Sequence, residues 1–290
     1  MSKIPLYILT ENLNFFYRLK RELDRNSIKY KILNIGSKLP TFSSIILSTS
    51  EEISYVYDKK NKLVILPYLS DQNFEKYILC VIAAYRVGFK EAYSNLTFSI
   101  DPGTKYIGIS TFLDDYFMES KTFYTTDEAI TYILKISNVL QSNDSNPLDL
   151  EFKFGRGILS LSYEFLKHLF FKMKSKNIKN IYLIDEISSS KVKLFFNNKK
   201  LPKHESAAIL LAIRSGLKIS TENFDQFYDK IKLKQIKPHD IEQNYKTKTG
   251  EYVIEIKKIA EDLINGLLSY REAMDLINGV FEKQKFNLLQ

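Results

Sequence analysis

The chain has no tryptophan, one cysteine, three histidines and ten glycines among 290 residues. The lone Cys80 excludes a disulfide framework within the chain and any zinc site assembled from paired cysteines. Its apolar neighbours, Tyr77-Ile78-Leu79 and Val81-Ile82-Ala83-Ala84, make it read as a small buried hydrophobe and not a nucleophile. No Gly-x-Ser-x-Gly turn and no Walker-type loop occurs, which removes those hydrolase and nucleotide signatures. No run approaches the roughly eighteen apolar residues of a membrane helix. Met1–Leu6 lack the basic start and apolar core of a signal peptide, so a cytoplasmic protein with no membrane partner is expected. The missing tryptophan, beside 19 tyrosines and 20 phenylalanines, looks like the imprint of an AT-rich genome.

What the chain does have is positive charge. Lys and Arg total 42 against 34 Asp and Glu, a formal net charge of +8. That excess favours approach to a polyanion such as nucleic acid. The basic residues are spread along the chain, so a merely soluble basic protein stays open. An apolar fraction of 44% with 26% charged residues is ordinary for a globular protein. The length suits about two domains, each with its own core.

Residues 1–95 alternate short apolar strands (Pro5–Leu9, Tyr30–Leu33, Ser44–Leu47, Leu63–Leu66) with helical segments. Leu13, Phe16, Leu19 and Leu23 mark the first helix, and a second is expected from about Asn73 to Val87, stopped at Gly88. This predicts a small layered α/β domain of open role. Residues 96–220 predict a second α/β domain. Strands at 97–101 and 106–113 and a third to Phe123 precede a capping box at Thr125 and Glu128. A helix, a strand over Leu150–Phe154, a helix bearing Phe165, Leu166 and Leu169, and the strand Ile181–Ile184 follow. A last helix runs from about His204 to Arg214. Three strands in a meander and then alternating helices and strands is the order of an RNase H-like fold. Residues 221–290 form a Lys-rich extension with helices near 252–265 and 270–284, packed on the body or holding a protein partner.

The chemistry gathers at predicted element ends. Asp101 closes an apolar strand and is followed by the tight Pro102-Gly103 turn. A carboxylate so held suits a divalent cation, although Asp-Pro-Gly is also common hairpin punctuation. Asp185-Glu186 ends a later strand, and His204-Glu205 opens the final helix. Strand C-termini and helix N-termini meet at one edge of an open α/β sheet. Carboxylates there would hold two Mg²⁺ ions against the attacking and leaving oxygens of a phosphodiester. Gly155-Arg156-Gly157 before a helix reads either as a phosphate cradle, with Lys153 and Arg156 on the anion, or as a plain turn. Ser188–Lys191 reads as a polar loop or a nucleic-acid contact. His168, within an aromatic helix, reads as structural, and His239 as a loop residue.

Ile100–Lys105, Phe154–Gly157, Ile184–Glu186 and His204–Ala208, taken in order, resemble the RuvC/YqgF-like branch of the RNase H-like nucleases, archaeal RuvC-like proteins of unassigned role above all. The resemblance spans residues about 96–216. It implies a Mg²⁺- or Mn²⁺-dependent endonuclease acting on structured or branched nucleic acid, DNA more than RNA, with Holliday-junction DNA the best-known substrate and a homodimer the usual state. By resemblance, Asp101, Glu186, Glu205 and His204 are catalytic, and Asp101, Asp185, Glu186 and Glu205 ligate metal. Lys105, Lys153, Arg156 and Lys191 are the expected nucleic-acid contacts. Two departures stand out: Gly155-Arg156-Gly157 replaces the family's glutamate at the fourth strand's end, and Ile187 replaces the arginine after Asp-Glu. The alternative is therefore an inactive RNase H-fold protein that binds nucleic acid or acts as a scaffold.

Overall fold

A computed structural model describes residues 4–56, 62–141, 147–173, 178–185, 192–219 and 250–288, with side chains in the last segment limited to 253–280. The chain divides into two compact units, Met1–Ala92 and Tyr93–Gln290.

In the first unit β1 (Leu6–Leu9), α1 (Leu13–Arg25), β2 (Lys31–Leu33), β3 (Ser44–Thr49), β4 (Leu63–Tyr68) and α2 (Phe74–Val87) follow in order. The four strands are parallel, in the order β2-β1-β3-β4. Asn12 caps α1 by accepting from the Phe15 amide. The face of α1 turned to the core carries Phe15, Leu19 and Leu23. Leu13, expected inside, is 67% exposed, because two residues of helix rotate it about 200° from Phe15. Glu52 ties the C-terminal ends of β1 and β3 together. Its carboxylate accepts from Thr10 Oγ1 (2.5 Å), the Glu11 amide (2.6 Å) and Thr49 Oγ1 (2.8 Å). Burial opposes its ionisation, yet these bonds hold its pKa below the ordinary glutamate value.

The second unit begins with β5 (Asn95–Pro102), β6 (Ile107–Leu113) and β7 (Tyr116–Phe123), an antiparallel meander. Then come α3 (Thr126–Leu140), β8 (Asp149–Gly155), α4 (Leu159–Met173) and β9 (Ile178–Ile184). A short hairpin of β10 (Phe195–Phe196) and β11 (Lys199–Lys200) leads to α5 (Lys203–Ala212). β12 (Leu217–Ile219), α6 (Gly250–Ile264) and α7 (Tyr270–Leu288) complete it. The sheet order is β12-β9-β8-β5-β6-β7, with β8 and β9 parallel to β5. A first strand at the centre, a meander on one side and parallel strands on the other is RNase H-like topology.

Side-chain alternation gives this sheet two unlike faces. One is apolar: Phe98 stacks on Phe152 at 5.6 Å, and Phe154 meets Phe165 of α4 at 5.5 Å. Each such ring contributes about 1.5–3 kcal/mol by leaving water. The opposite face is polar and small. Lys153, Ser99, Ser110 and Ser120 lie in one row across β8, β5, β6 and β7. Asp101, Gly108 and Thr122 form the next row toward the hairpin. Helix α5 lies on this face, covered in turn by α6 and α7. Ile209 and Ile213 share a core with Ile256, Ala260, Leu263, Ala273 and Ile277. The C-terminal helices thus bury apolar positions against the body of their own unit. Among the described residues no helix is long and apolar enough to cross a membrane.

Gly108 is where α5 comes closest to the sheet. A Cβ at that position would overlap the carbonyl of His204 and lie 2.9 Å from its Cβ. Gly279 on α7 has open space instead. Gly108→Ala should therefore lower unfolding stability by about 3 kcal/mol, while Gly279→Ala should raise it by about 0.5–1 kcal/mol. Chemical denaturation checks both, and a Gly108→Ala variant of undiminished stability would contradict this crossing.

Candidate functional site

Asp101 sits at the end of the central strand, and the turn behind it is closed by the Gly103 amide donating to the Tyr106 carbonyl at 3.1 Å. Asp101 Oδ2 and His204 Nδ1 are 2.8 Å apart. His204 comes from the first turn of α5, directly above Gly108, so the absence of a side chain on β6 brings this pair within reach. Asp101 is only 9% exposed. Burial raises its pKa above the ordinary aspartate value; the hydrogen bond and charge of His204, and the charge of Lys203, offset part of this. Tyr106 leans on the imidazole with ring centres 5.6 Å apart.

Glu205 follows His204 but serves another strand. Successive helical residues point about 100° apart, so while His204 turns to β5, Glu205 turns to β7. Its carboxylate accepts from Ser120 Oγ at 2.6 Å and Thr122 Oγ1 at 3.0 Å. Asp185 is engaged as well: Arg156 Nη2 reaches its carboxylate at 2.5 Å, and Arg214 donates to its carbonyl at 3.0 Å. Glu186 and Lys191 lie outside the described residues, as does His239. Of the acids expected at one point, Asp101 meets His204, and Glu205 and Asp185 have partners of their own.

Basic residues are divided too. Lys105 is exposed in the hairpin, and Lys203, which sequence reasoning passed over, is exposed at the start of α5. Lys153, expected on phosphate, is turned inward and 2% exposed. It donates to the carbonyls of Ala212 (2.5 Å) and Arg214 (3.0 Å), and so caps the C-terminal end of α5. Burial pulls its pKa down to about 8. Its sequence neighbours Phe152 and Phe154 face the other side of the sheet, so alternation puts Lys153 under α5 and not in solvent.

The Gly155-Arg156-Gly157 step is tied into the fold through its backbone. The Gly155 carbonyl accepts from Ser162 Oγ (2.6 Å), and the Arg156 amide donates to the Ile184 carbonyl (3.0 Å). His168 is exposed on α4 and is not a core residue. Cys80 is partly buried, and burial raises its thiol pKa, which keeps it unreactive near neutral pH.

A pair of divalent ions needs several hard oxygen ligands. Among the described residues no group of three or more His, Cys, Asp or Glu side chains could hold a metal ion. Where a further acid would stand beside Asp101, β8 ends in Gly155. The described donor set is one carboxylate and one imidazole bonded to each other, which does not fit a two-ion centre.

No family model and no curated protein matches the chain. Among solved structures it is similar to T. thermophilus RuvC in complex with a Holliday junction substrate, at 13% identity and TM-score 0.25, over 39% of this chain and 87% of that one. It is also similar to the QDE-2 AGO MID-PIWI domains of N. crassa, at 9% identity and TM-score 0.27, over 97% and 95%. The C-terminal lobe of a budding yeast Argonaute is a third, at 8% identity and TM-score 0.23, over 63% and 55%. Such low scores carry no argument about activity. It is the strand order of the second unit that makes its fold RNase H-like.

The Asp101 environment has a measurable consequence. Its folded-state carboxyl keeps a proton to higher pH than the unfolded chain's. Its contribution to stability is therefore fully present below the ordinary aspartate range and is lost as pH rises through the raised value. Asp101→Asn, whose amide can accept from or donate to His204 Nδ1, should be more stable than wild type by about 1 kcal/mol at pH 8. The gain should shrink toward zero near pH 4. Thermal unfolding across that range checks it, and an effect equal at every pH would contradict it.

Proposed function

We propose that the protein binds nucleic acid at the hairpin corner of its RNase H-like unit, beside the Asp101–His204 pair and through the flanking Lys105 and Lys203. The observation that carries this reading is the division of the acids. On an RNase H-ordered sheet, the carboxylate at the centre is committed to a histidine, while Glu205 is held by Ser120 and Thr122 and Asp185 by Arg156. What remains open at the corner is cationic, in a chain of net charge +8. Lys105 and Lys203 offer phosphate contacts that need no metal.

Cleavage of structured or branched nucleic acid such as DNA junctions, driven by Mg²⁺ or Mn²⁺, is the activity that would displace this reading. It would have to draw a further ligand from Glu186. Binding of a labelled DNA oligonucleotide in EDTA is the test. With Lys105 and Lys203 each neutralising one phosphate, affinity should fall about seven- to twelvefold between about 50 and 200 mM salt. A four-way junction should remain intact with Mn²⁺. Cleavage that Asp101→Asn abolishes would overturn the binding-only reading, and absence of any binding at low salt would overturn the nucleic-acid reading altogether.

A further inference from the structure

We infer that the same corner takes an unpaired nucleotide, its base stacked on the open face of Tyr124 with Tyr106 edge-on beside it, so that the ligand class is single-stranded or locally unpaired nucleic acid and not continuous duplex. This rests on the binding reading above and narrows it. Tyr106 precedes Ile107 and Tyr124 follows Phe123, and Ile107 and Phe123 are register partners on β6 and β7. The two tyrosines therefore project side by side from the end of the sheet. Their ring centres are 5.5 Å apart with planes at 61°, and Tyr106 in turn contacts His204. The three rings run from the solvent edge to the Asp101 carboxylate.

Both tyrosines are open to solvent, Tyr106 at 40% and Tyr124 at 72% exposed. Their backbones are nonetheless anchored. The Tyr106 carbonyl closes the hairpin, and the Tyr124 amide donates to Glu128 Oε2 at 3.2 Å. Rigid aromatic side chains with few rotatable bonds lose little entropy when a ligand covers them. Aromatic faces beside exposed Lys105 and Lys203 are the combination that holds single strands: stacking on any base, with cations on the backbone. A continuous duplex presents no free base face to such rings, since its bases are stacked on one another. Phosphate contact alone would explain the lysines. It would not account for two adjacent exposed tyrosines at the same corner.

Fluorescence anisotropy in EDTA at low salt, with a labelled single strand and its duplex, tests the inference. Wild type should bind the single strand more tightly. Tyr124→Leu, at an exposed position where folding is not at stake, should weaken single-strand binding about 5- to 150-fold, whereas Tyr124→Phe should preserve it. A 2-aminopurine base in the strand should be quenched by wild type and less by Tyr124→Leu. Single-strand binding unchanged in both Tyr124→Leu and Tyr106→Leu, or duplex bound as tightly as single strand, would overturn the stacking site and leave the binding reading standing. Wild type binding neither form would overturn both.

Discussion

The second unit depends on how closely one short helix can approach a sheet. Helix α5 lies across the polar face because that face has almost no side-chain height beneath it: Gly108 at the crossing, with Ser99 and Ser110 in the adjacent row. The helix is tethered at both ends. At its start His204 bonds Asp101, and at its finish Lys153 Nζ gathers the carbonyls of Ala212 and Arg214. The two bonds made by the Lys153 ammonium, as hydrogen bonds from a charged donor, are worth about 1.5–3 kcal/mol each. The cation at the C-terminal end also complements the helix dipole. Burying Lys153 costs part of that gain, as its lowered pKa records.

This docking also determines what the site can do. With α5 so close, consecutive residues of its first turn reach different strands, His204 the central one and Glu205 the outer one. A helix placed thus joins Asp101 to a histidine and gives Glu205 to the hydroxyls of Ser120 and Thr122. The corner that results has one acid of unfavourable ionisation, an imidazole, two exposed lysines and a tyrosine pair. That inventory suits recognition of a phosphate backbone and an unpaired base better than the clamping of two metal ions.

The topology was legible because it is written in period-two alternation and capping boxes. Phe98 and Ile100, or Phe152 and Phe154, announce strands, and Thr125 with Glu128 announces α3, as observed. Asp101 and His204 were legible singly, as members of one expected site, from their places at a strand end and a helix start; their bond to each other was not. Other features were hidden. A lysine between two phenylalanines looks like a surface cation until the helix that covers it is known. The bonds of Glu205 could not be read because its partners, Ser120 and Thr122, lie more than eighty residues away in the chain. Tyr106 and Tyr124 become neighbours only through the register of β6 and β7, which hydrophobic pattern alone does not specify.

The three histidines allow a direct measurement of the central claim. Long-range ¹H–¹⁵N correlation spectra of the imidazoles, recorded in EDTA during titration with a short single strand, follow His204 at the proposed corner. His168, on the far face of the sheet, serves as internal reference. The account predicts that the His204 resonances shift and saturate with the oligonucleotide while His168 stays in place. Binding that leaves His204 unmoved would contradict it.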